Sequence, residues 1–282
     1  MSTPKTFTIG TRNDDFDPNE SRMFLNALQV SNIINYLGRT KGPNQSLRLK
    51  GALENKTVDL VVHSLKDLPT TLSKGMTIGA ILKREDPNDA VIIKEGLTTK
   101  SLEELPKGSI VGTSSVRRIS QLKNSFPDLI FQNIRGNLDT RLAKLDNPDG
   151  QYSAIILAVA GLVRLGALAI ECRDDDKDII ELLSVLEDTD TKLRCTAERS
   201  LLMALEGGCG VPIGVNTSFV EENEGKRMLR LESLVAQLDG SKIIRAEVTK
   251  YIDGIDTANE LGKVSKILIE RGARNIIEEL KH

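Results

Sequence analysis

The chain has 282 residues, of which 39% are apolar and 28% charged, and its formal net charge is −2. This balance is typical of a globular protein with a substantial core, and it excludes a globally basic surface of the kind that binds nucleic acid or anionic membranes. No apolar run approaches the roughly 20 residues that span a bilayer, and MSTPKTFTIG at the N-terminus lacks a secretory pattern, so we expect a cytoplasmic protein. Three cysteines without metal-ligand spacing and only two histidines argue against a disulfide framework, a metal site and a Ser-His triad.

Short apolar strands alternate with helical patterns over most of the chain, which predicts an α/β fold with a largely parallel sheet. The predicted strands are 6–10, 58–63, 76–82, 90–94, 109–113, 129–134 and 153–158, and the predicted helices are 22–37, 46–55, 114–125, 137–145, 178–187 and 192–205. After about residue 210 the pattern changes to a hairpin, 227–238 with 242–252, and an amphipathic helix, 256–271. The C-terminal third is therefore predicted to be a separate α+β domain.

The first strand-to-helix junction of interest is VDLVVHSLKDLPT, residues 58–70, where a buried strand runs into Lys66 and Asp67. A charged pair at the end of such a strand is either a solvated loop or the floor of a site. His63, at an apolar strand end, is more often a structural histidine with a satisfied hydrogen bond than a ligand.

The second junction is SIVGTSSVRRISQL, residues 109–122, where Thr113, Ser114 and Ser115 are good helix N-cap residues. Arg117 and Arg118 follow in the first helical turn, where positive charge opposes the helix dipole. They are either solvated side chains or a pair that holds an anion, and their unfavourable position favours the second interpretation.

Further arginines follow the next strands of the predicted sheet. These are Arg135 and Arg141 in LIFQNIRGNLDTRLAKL, and Arg164 in ILAVAGLVRLG. Since ligands bind at the carboxyl ends of parallel strands, we expect a basic cleft that suits a ligand with several carboxylates. Asp67, as the lone acid there, is expected to be ionised and to stabilise a cationic intermediate or to move protons.

Cys209 lies in AERSLLMALEGGCGVPIG, residues 197–214, next to Gly208 and Gly210. A cysteine without crowding neighbours is accessible to another molecule, but a small buried residue in a tight turn is an equally ordinary interpretation. Cys172 and Cys195 lie on strand and helix patterns and are expected to fill the core.

These stretches together resemble the porphobilinogen deaminase (hydroxymethylbilane synthase) family, whose motifs occur in the same order over most of residues 58–214. The resemblance implies two periplasmic-binding-protein-like lobes and a smaller α+β C-terminal domain. Domain 1 would be 1–84 with 167–186, domain 2 would be 85–166, and domain 3 would be 189–282. It also implies a cytoplasmic, monomeric transferase of tetrapyrrole (haem) biosynthesis that acts on a small molecule, without nucleic-acid or membrane partners. This enzyme joins four porphobilinogen molecules head to tail and releases ammonia.

The resemblance further implies a role for each matching residue. Asp67 is the catalytic residue, and a dipyrromethane cofactor is covalently attached to Cys209. The other cofactor-binding residues are Ser64, Lys66, Thr113, Ser114, Ser115, Arg117, Arg118, Arg135 and Arg164, and the substrate-binding residues are Arg12, Arg118, Arg135 and Arg141.

Three segments depart from the family pattern. Acidic residues occupy the segment 13–17, where the family continues from the arginine of IGTR towards an apolar helix. The segment 38–55 is much shorter than the family's strand and mobile loop. The family's hinge segment is absent within 161–173. They motivate an alternative hypothesis, a non-catalytic deaminase-like protein that binds a pyrrole or another polycarboxylate. A weaker alternative is a two-lobed solute-binding protein for small anions.

Overall fold

A computed structural model describes residues 7–11, 34–36, 45–159, 167–205, 211–221 and 227–280. The strands are β1 Phe7–Thr11, β2 Ile34–Tyr36, β3 Leu60–Ser64, β4 Met76–Ile81, β5 Asp89–Ile93, β6 Ile110–Gly112, β7 Ile130–Gln132, β8 Tyr152–Ala158, β9 Leu168–Arg173, β10 Ile213–Glu221, β11 Arg227–Ala236 and β12 Ile243–Tyr251. The α-helices are α1 Gln45–Glu54, α2 Val116–Ser125, α3 Leu138–Asp146, α4 Lys177–Ser184, α5 Thr189–Ala204, α6 Ile255–Leu261, α7 Ser265–Glu270 and α8 Ala273–Glu279. The chain divides into two compact units, Met1–Glu85 with Gly166–Lys192, and Asp86–Leu165 with Leu193–His282.

The first unit contains a mixed sheet with the strand order β2-β1-β3-β9-β4. The strand β1 is parallel to β2 and β3, whereas β9 runs antiparallel to β3 and β4. One face of the sheet packs Leu60 and Ile170 against Leu183 of α4, and Val61 on the other face packs against Leu53 of α1. The strand β9 therefore completes the first sheet after the chain has formed the sheet of the second unit.

The second unit contains a sheet with the order β5-β8-β6-β7, in which β6 is parallel to β7 and β8 while β5 is antiparallel to β8. Alternate residues of β8 are buried on opposite faces because successive side chains of a strand point to opposite sides. Ile156 packs with Leu102 and Leu129, and Ile155 packs with Leu145 of α3. Burial on both faces explains the continuous apolar pattern of this strand.

The C-terminal part of the second unit is an antiparallel sheet, β10-β11-β12. Its apolar face, with Leu229 and Leu231, packs against Leu201 of α5 and Leu268 of α7. Gly240 allows the turn between β11 and β12 because its φ is +76°, in the left-handed region. Its carbonyl accepts a hydrogen bond of 2.9 Å from Asn124 Nδ2, which attaches this turn to α2.

The predicted fold class, α/β lobes and a smaller α+β C-terminal part, is confirmed. The strands β9 and β10 were not among the predicted strands. Residues 34–36, predicted as the end of a helix over 22–37, form a strand because they pair with β1 in a parallel ladder; residues 22–33 lie outside the described part of the chain. The three-domain bounds stay a prediction.

The helix predicted over 256–271 is divided by a 3₁₀ turn, Gly262–Val264. At Gly262 a Cβ atom would overlap Ser200 of α5, so the chain approaches α5 too closely for a larger residue. The prediction of one continuous helix was therefore wrong, because two helices, α6 and α7, occupy this range. A third helix, α8, follows them.

Gly79 on β4 lies where an added Cβ would meet Leu183 Cδ1 at 2.6 Å and Cys172 Sγ at 2.8 Å. We expect Gly79→Ala to lower the free energy of unfolding by about 1–3 kcal/mol because it overpacks the core. Gly51 in α1 has nothing within 4 Å of a Cβ, so Gly51→Ala should raise stability by about 0.5–1 kcal/mol. Urea unfolding of both variants checks this, and equal effects of the two substitutions would contradict it.

Candidate functional site

The turn that carries Asp67 directly follows β3 as a single 3₁₀ turn, Leu65–Asp67. Leu65, the first residue of the turn, and Leu68, which directly follows it, are both buried. The Leu65 N–H donates to the Ala167 carbonyl at 2.8 Å, and the Leu68 N–H donates to the Leu65 carbonyl at 3.1 Å. These contacts fix the backbone of the turn, with Lys66 exposed; the Asp67 side chain lies outside what the structure describes.

A buried polar pair lies just before this turn. His63 Nε2 is 2.8 Å from Oε2 of Glu171 on β9, and both residues are buried. The pair connects β3 to its antiparallel neighbour, and its polar atoms satisfy each other away from water. His63 is thus the structural histidine that the sequence predicted, and Ser64 next to it is half-buried.

The second junction uses its hydroxyl groups to fix the start of α2. Ser115 is the N-cap, and its Oγ accepts from the Arg118 N–H at 3.4 Å. Thr113 is buried, and its Oγ1 accepts from the Ser115 N–H at 3.3 Å. Ser114 Oγ donates to the Ile134 carbonyl at 2.7 Å. The three predicted residues therefore hold the junction at the carboxyl end of β6 in one conformation.

The two arginines of α2 converge on one acid, Asp89, at the start of β5. Arg118 Nη2 donates to Asp89 Oδ1 at 2.6 Å, and Arg117 Nη2 donates to Asp89 Oδ2 at 3.2 Å. Arg118 Nη1 also donates to the Ile156 carbonyl at 3.2 Å. Sequence reasoning missed Asp89, because its only local signal is an acid that immediately precedes an apolar strand.

The third junction carries Arg135 and Arg141, which make contacts of their own. Gly136 turns the chain with a φ of +122°, and its carbonyl accepts from Arg141 Nε at 2.8 Å. Asn137 caps α3 by accepting from the Thr140 N–H at 2.8 Å, and Arg135 is exposed. Within the described ranges, no hydrogen bond or ion pair joins either arginine to Asp89, Arg117 or Arg118.

A cavity of about 420 Å³ with a mixed polar and apolar lining lies within the second unit, between α2 and the C-terminal sheet. Arg117 lines it from α2, and Arg245, Glu247 and the apolar Val215 and Leu234 line it from the sheet. Arg117 thus contacts Asp89 and also faces this cavity, so it is accessible to a charged ligand.

Three predicted site residues, Arg12, Arg164 and Cys209, lie outside the described residues. The elements that flank residues 206–210 are described, and a polar network joins them. Arg194 Nη2 donates to the Thr217 carbonyl at 2.5 Å, and Thr217 Oγ1 donates to Glu198 Oε1 at 2.5 Å. The middle of α5 and the middle of β10, the two elements that flank the segment with Cys209 in the sequence, are therefore held together.

The other two cysteines are buried, as predicted. Burial, together with the smaller effect of the nearby Asp176 carboxylate, raises the pKa of the Cys172 thiol from 9.0 to about 11. The folded protein thus binds the thiol proton more tightly than the unfolded chain. The tighter binding of this proton raises the free energy of unfolding. Its contribution is fully present below about pH 9 and is lost as the pH rises towards 11.

The difference in unfolding free energy between wild type and Cys172→Ala should accordingly shrink between pH 8.5 and 10.5. The decrease is at most about 1.4 kcal/mol for each unit by which the pKa of Cys172 is higher in the folded than in the unfolded state. Urea unfolding at both pH values measures it. The comparison between variants cancels the lysines and tyrosines that titrate in the same range. A difference that does not change with pH would contradict the assignment.

Within the described part of the chain, no helix is long and apolar enough to cross a membrane, and no group of three or more His, Cys, Asp or Glu side chains is placed to hold a metal ion.

Residues 45–170 match the family model of the porphobilinogen deaminase dipyrromethane cofactor-binding domain, and residues 192–269 match the model of its C-terminal domain. The porphobilinogen deaminase of Prochlorococcus marinus (strain AS9601) is 46% identical over 244 residues, which cover 79% of this chain and 74% of that protein. The porphobilinogen deaminase of Gloeobacter violaceus is 47% identical over 255 residues, which cover 82% of this chain and 75% of that protein.

Among solved structures, an arginine transport periplasmic binding protein from Legionella pneumophila is similar with a TM-score of 0.37 and 14% identity. The similarity covers 64% of this chain and 91% of that one. On the strength of its relatives in sequence, the chain belongs to the porphobilinogen deaminase family.

Proposed function

We propose that this chain is a transferase, a hydroxymethylbilane synthase, that condenses four porphobilinogen molecules head to tail with release of ammonia. Its membership of the family supports the activity, and no comparison favours the non-catalytic alternative. The observation of the structure that carries the proposal is the convergence of Arg117 and Arg118 at a strand end, which suits a ligand with several carboxylates.

The residues of the second unit fit a dipyrromethane cofactor, whose pyrrole rings carry acetate and propionate groups. Arg118 Nε is buried and has no hydrogen-bond partner among the described residues. A buried N–H without a partner is costly, and a ligand carboxylate would satisfy it. The exposed Arg135 offers a further guanidinium group. The residues proposed to hold the cofactor are Ser64, Lys66, Thr113, Ser114, Ser115, Arg117, Arg118, Arg135 and Arg164, with Cys209 as its point of attachment.

When bound, dipyrromethane supplies the pyrrole on which the product chain is extended. The protein's own groups orient the substrate and manage charge. Arg12, Arg118, Arg135 and Arg141 are proposed to bind substrate carboxylates by bidentate hydrogen bonds. The Asp67 carboxylate is proposed to stabilise positive charge on the pyrrole nitrogens and to accept or return a proton at its oxygens.

Several further properties belong to the same proposal. We infer a cytoplasmic monomer with porphobilinogen as its small-molecule partner and no nucleic-acid or membrane partner. The proposal also includes three domains. Domain 1 is 1–84 with 167–186, domain 2 is 85–166, and domain 3 is 189–282. The net charge of −2 supports the absence of a polyanionic partner.

Intact-protein mass spectrometry before and after addition of porphobilinogen tests the function directly. We expect a mass that exceeds the sequence mass by one dipyrromethane, further pyrrole-sized increments with substrate, and release of ammonia. An unmodified mass without ammonia release, together with calorimetric binding of porphobilinogen, would replace this proposal with the non-catalytic binding protein.

A further inference from the structure

Among the described residues, Asp89 contacts both arginines of the α2 N-terminus, and it comes from a different element, β5. It lies 28 and 29 residues before them in the chain, and each of its two oxygens accepts one guanidinium N–H. A single carboxylate shared in this way sets the distance between the two guanidinium groups.

The electrostatics of α2 require such a counter-ion. The helix has no acidic residue in its first turn, so two adjacent cations there oppose the dipole and repel each other. The side chain of Arg118 is 14% exposed and that of Asp89 is 26% exposed, so water screens this pair less than an ordinary surface ion pair. Without Asp89 the two guanidinium groups are expected to separate.

The arginines keep free donors while Asp89 is bound. A guanidinium group has five N–H donors. Arg118 uses Nη2 for Asp89 and Nη1 for the Ile156 carbonyl, and its buried Nε–H has no partner in the described structure. The Arg117 side chain is 38% exposed and lines the cavity beside α2. Donors of both arginines therefore stay available to a ligand carboxylate while Asp89 is bound.

We propose that Asp89 is a positioning residue, whose carboxylate fixes Arg117 and Arg118 in the arrangement that binds the carboxylates of the pyrrole ligand. The ligand class rests on the proposed function, whereas the arrangement of the two guanidinium groups does not. Removing the charge of Asp89 while keeping its shape then weakens carboxylate binding, although it makes the site more positive.

The test is calorimetric titration with citrate, a polycarboxylate probe that needs no turnover, of full-length chains in the fraction that carries no added mass, combined with the intact mass of each variant before fractionation. We expect Asp89→Asn to raise the citrate Kd about tenfold and to lower the fraction of chains that carry the cofactor. Asp89→Glu keeps the charge and should recover most of the affinity. Arg118→Gln gives the baseline, and Asp128→Asn, which removes an exposed ion pair with Lys107 in the same unit, is the matched control.

The outcomes are decisive in either direction. Citrate binding by Asp89→Asn that equals or exceeds that of Asp128→Asn overturns the inference, as does wild-type protein that binds no citrate or an Asp89→Glu variant no better than Asp89→Asn. If thermal unfolding shows that Asp89→Asn is not folded, Asp89→Ser takes its place. A wild-type protein that binds citrate but carries no added mass and releases no ammonia contradicts the proposed function, while the citrate comparison still decides the role of Asp89.

Discussion

Asp67→Asn is expected to lower the rate of ammonia release from porphobilinogen by roughly 10²–10⁴-fold, the usual contribution of a positioned acid or base. Asparagine has the shape of aspartate but neither its charge nor its ability to accept a proton. The buried residues Leu65 and Leu68 hold the backbone of the turn, so the substitution should not move it. The initial rate of ammonia release, with the thermal midpoint of each variant, measures the effect.

Two controls separate the charge of Asp67 from other causes. Asp67→Glu keeps the carboxylate but displaces it by one methylene group, so it should retain more activity than Asp67→Asn. Asp175→Asn removes an exposed acid of the same unit and should leave the rate unchanged. A rate for Asp67→Asn close to that of Asp175→Asn would assign the chemistry to another residue.

Local signals in the sequence were sufficient to predict most strands and helices of the α/β lobes. The apolar run of β8 predicts a strand because both of its faces are buried. Ser115, one of the predicted cap residues, starts α2 because its side chain accepts from a backbone N–H group of the first turn, and Asn137 starts α3 in the same way at the first residue of the predicted helix. These features depend on residues within a few positions of each other, and a single sequence displays them directly.

Features that depend on distant residues were not predictable in this way. The strand β9 lies between β3 and β4 because it pairs with both in antiparallel ladders, and nothing local to Leu168–Arg173 specifies either partner. The pairing of His63 with Glu171 spans 108 residues, and the convergence of two arginines on Asp89 spans almost 30. The sequence therefore predicts which residue types occupy the candidate site, while the structure adds the acid that orients two of them.

Cys209→Ser is expected to remove the covalently attached mass altogether. A thioether forms through a thiolate sulfur, and a serine hydroxyl, which ionises far less readily, is a poor substitute as a nucleophile. The network of Arg194, Thr217 and Glu198 holds the flanking elements together, and the substitution leaves it intact. We therefore expect a folded protein of unmodified mass with no ammonia release, measured by intact mass spectrometry and thermal unfolding.

The chain provides its own controls, since it has three cysteines and the other two are buried in the core. Cys172→Ala and Cys195→Ala should keep the added mass, because a buried thiol is inaccessible and the raised pKa of Cys172 keeps it protonated at neutral pH. Added mass that persists in Cys209→Ser, or that disappears in one of the two alanine variants instead, would move the attachment point. It would also favour the interpretation of the Gly207–Gly210 segment as a tight turn around a small residue, and the proposed function would then need a different anchor for its cofactor.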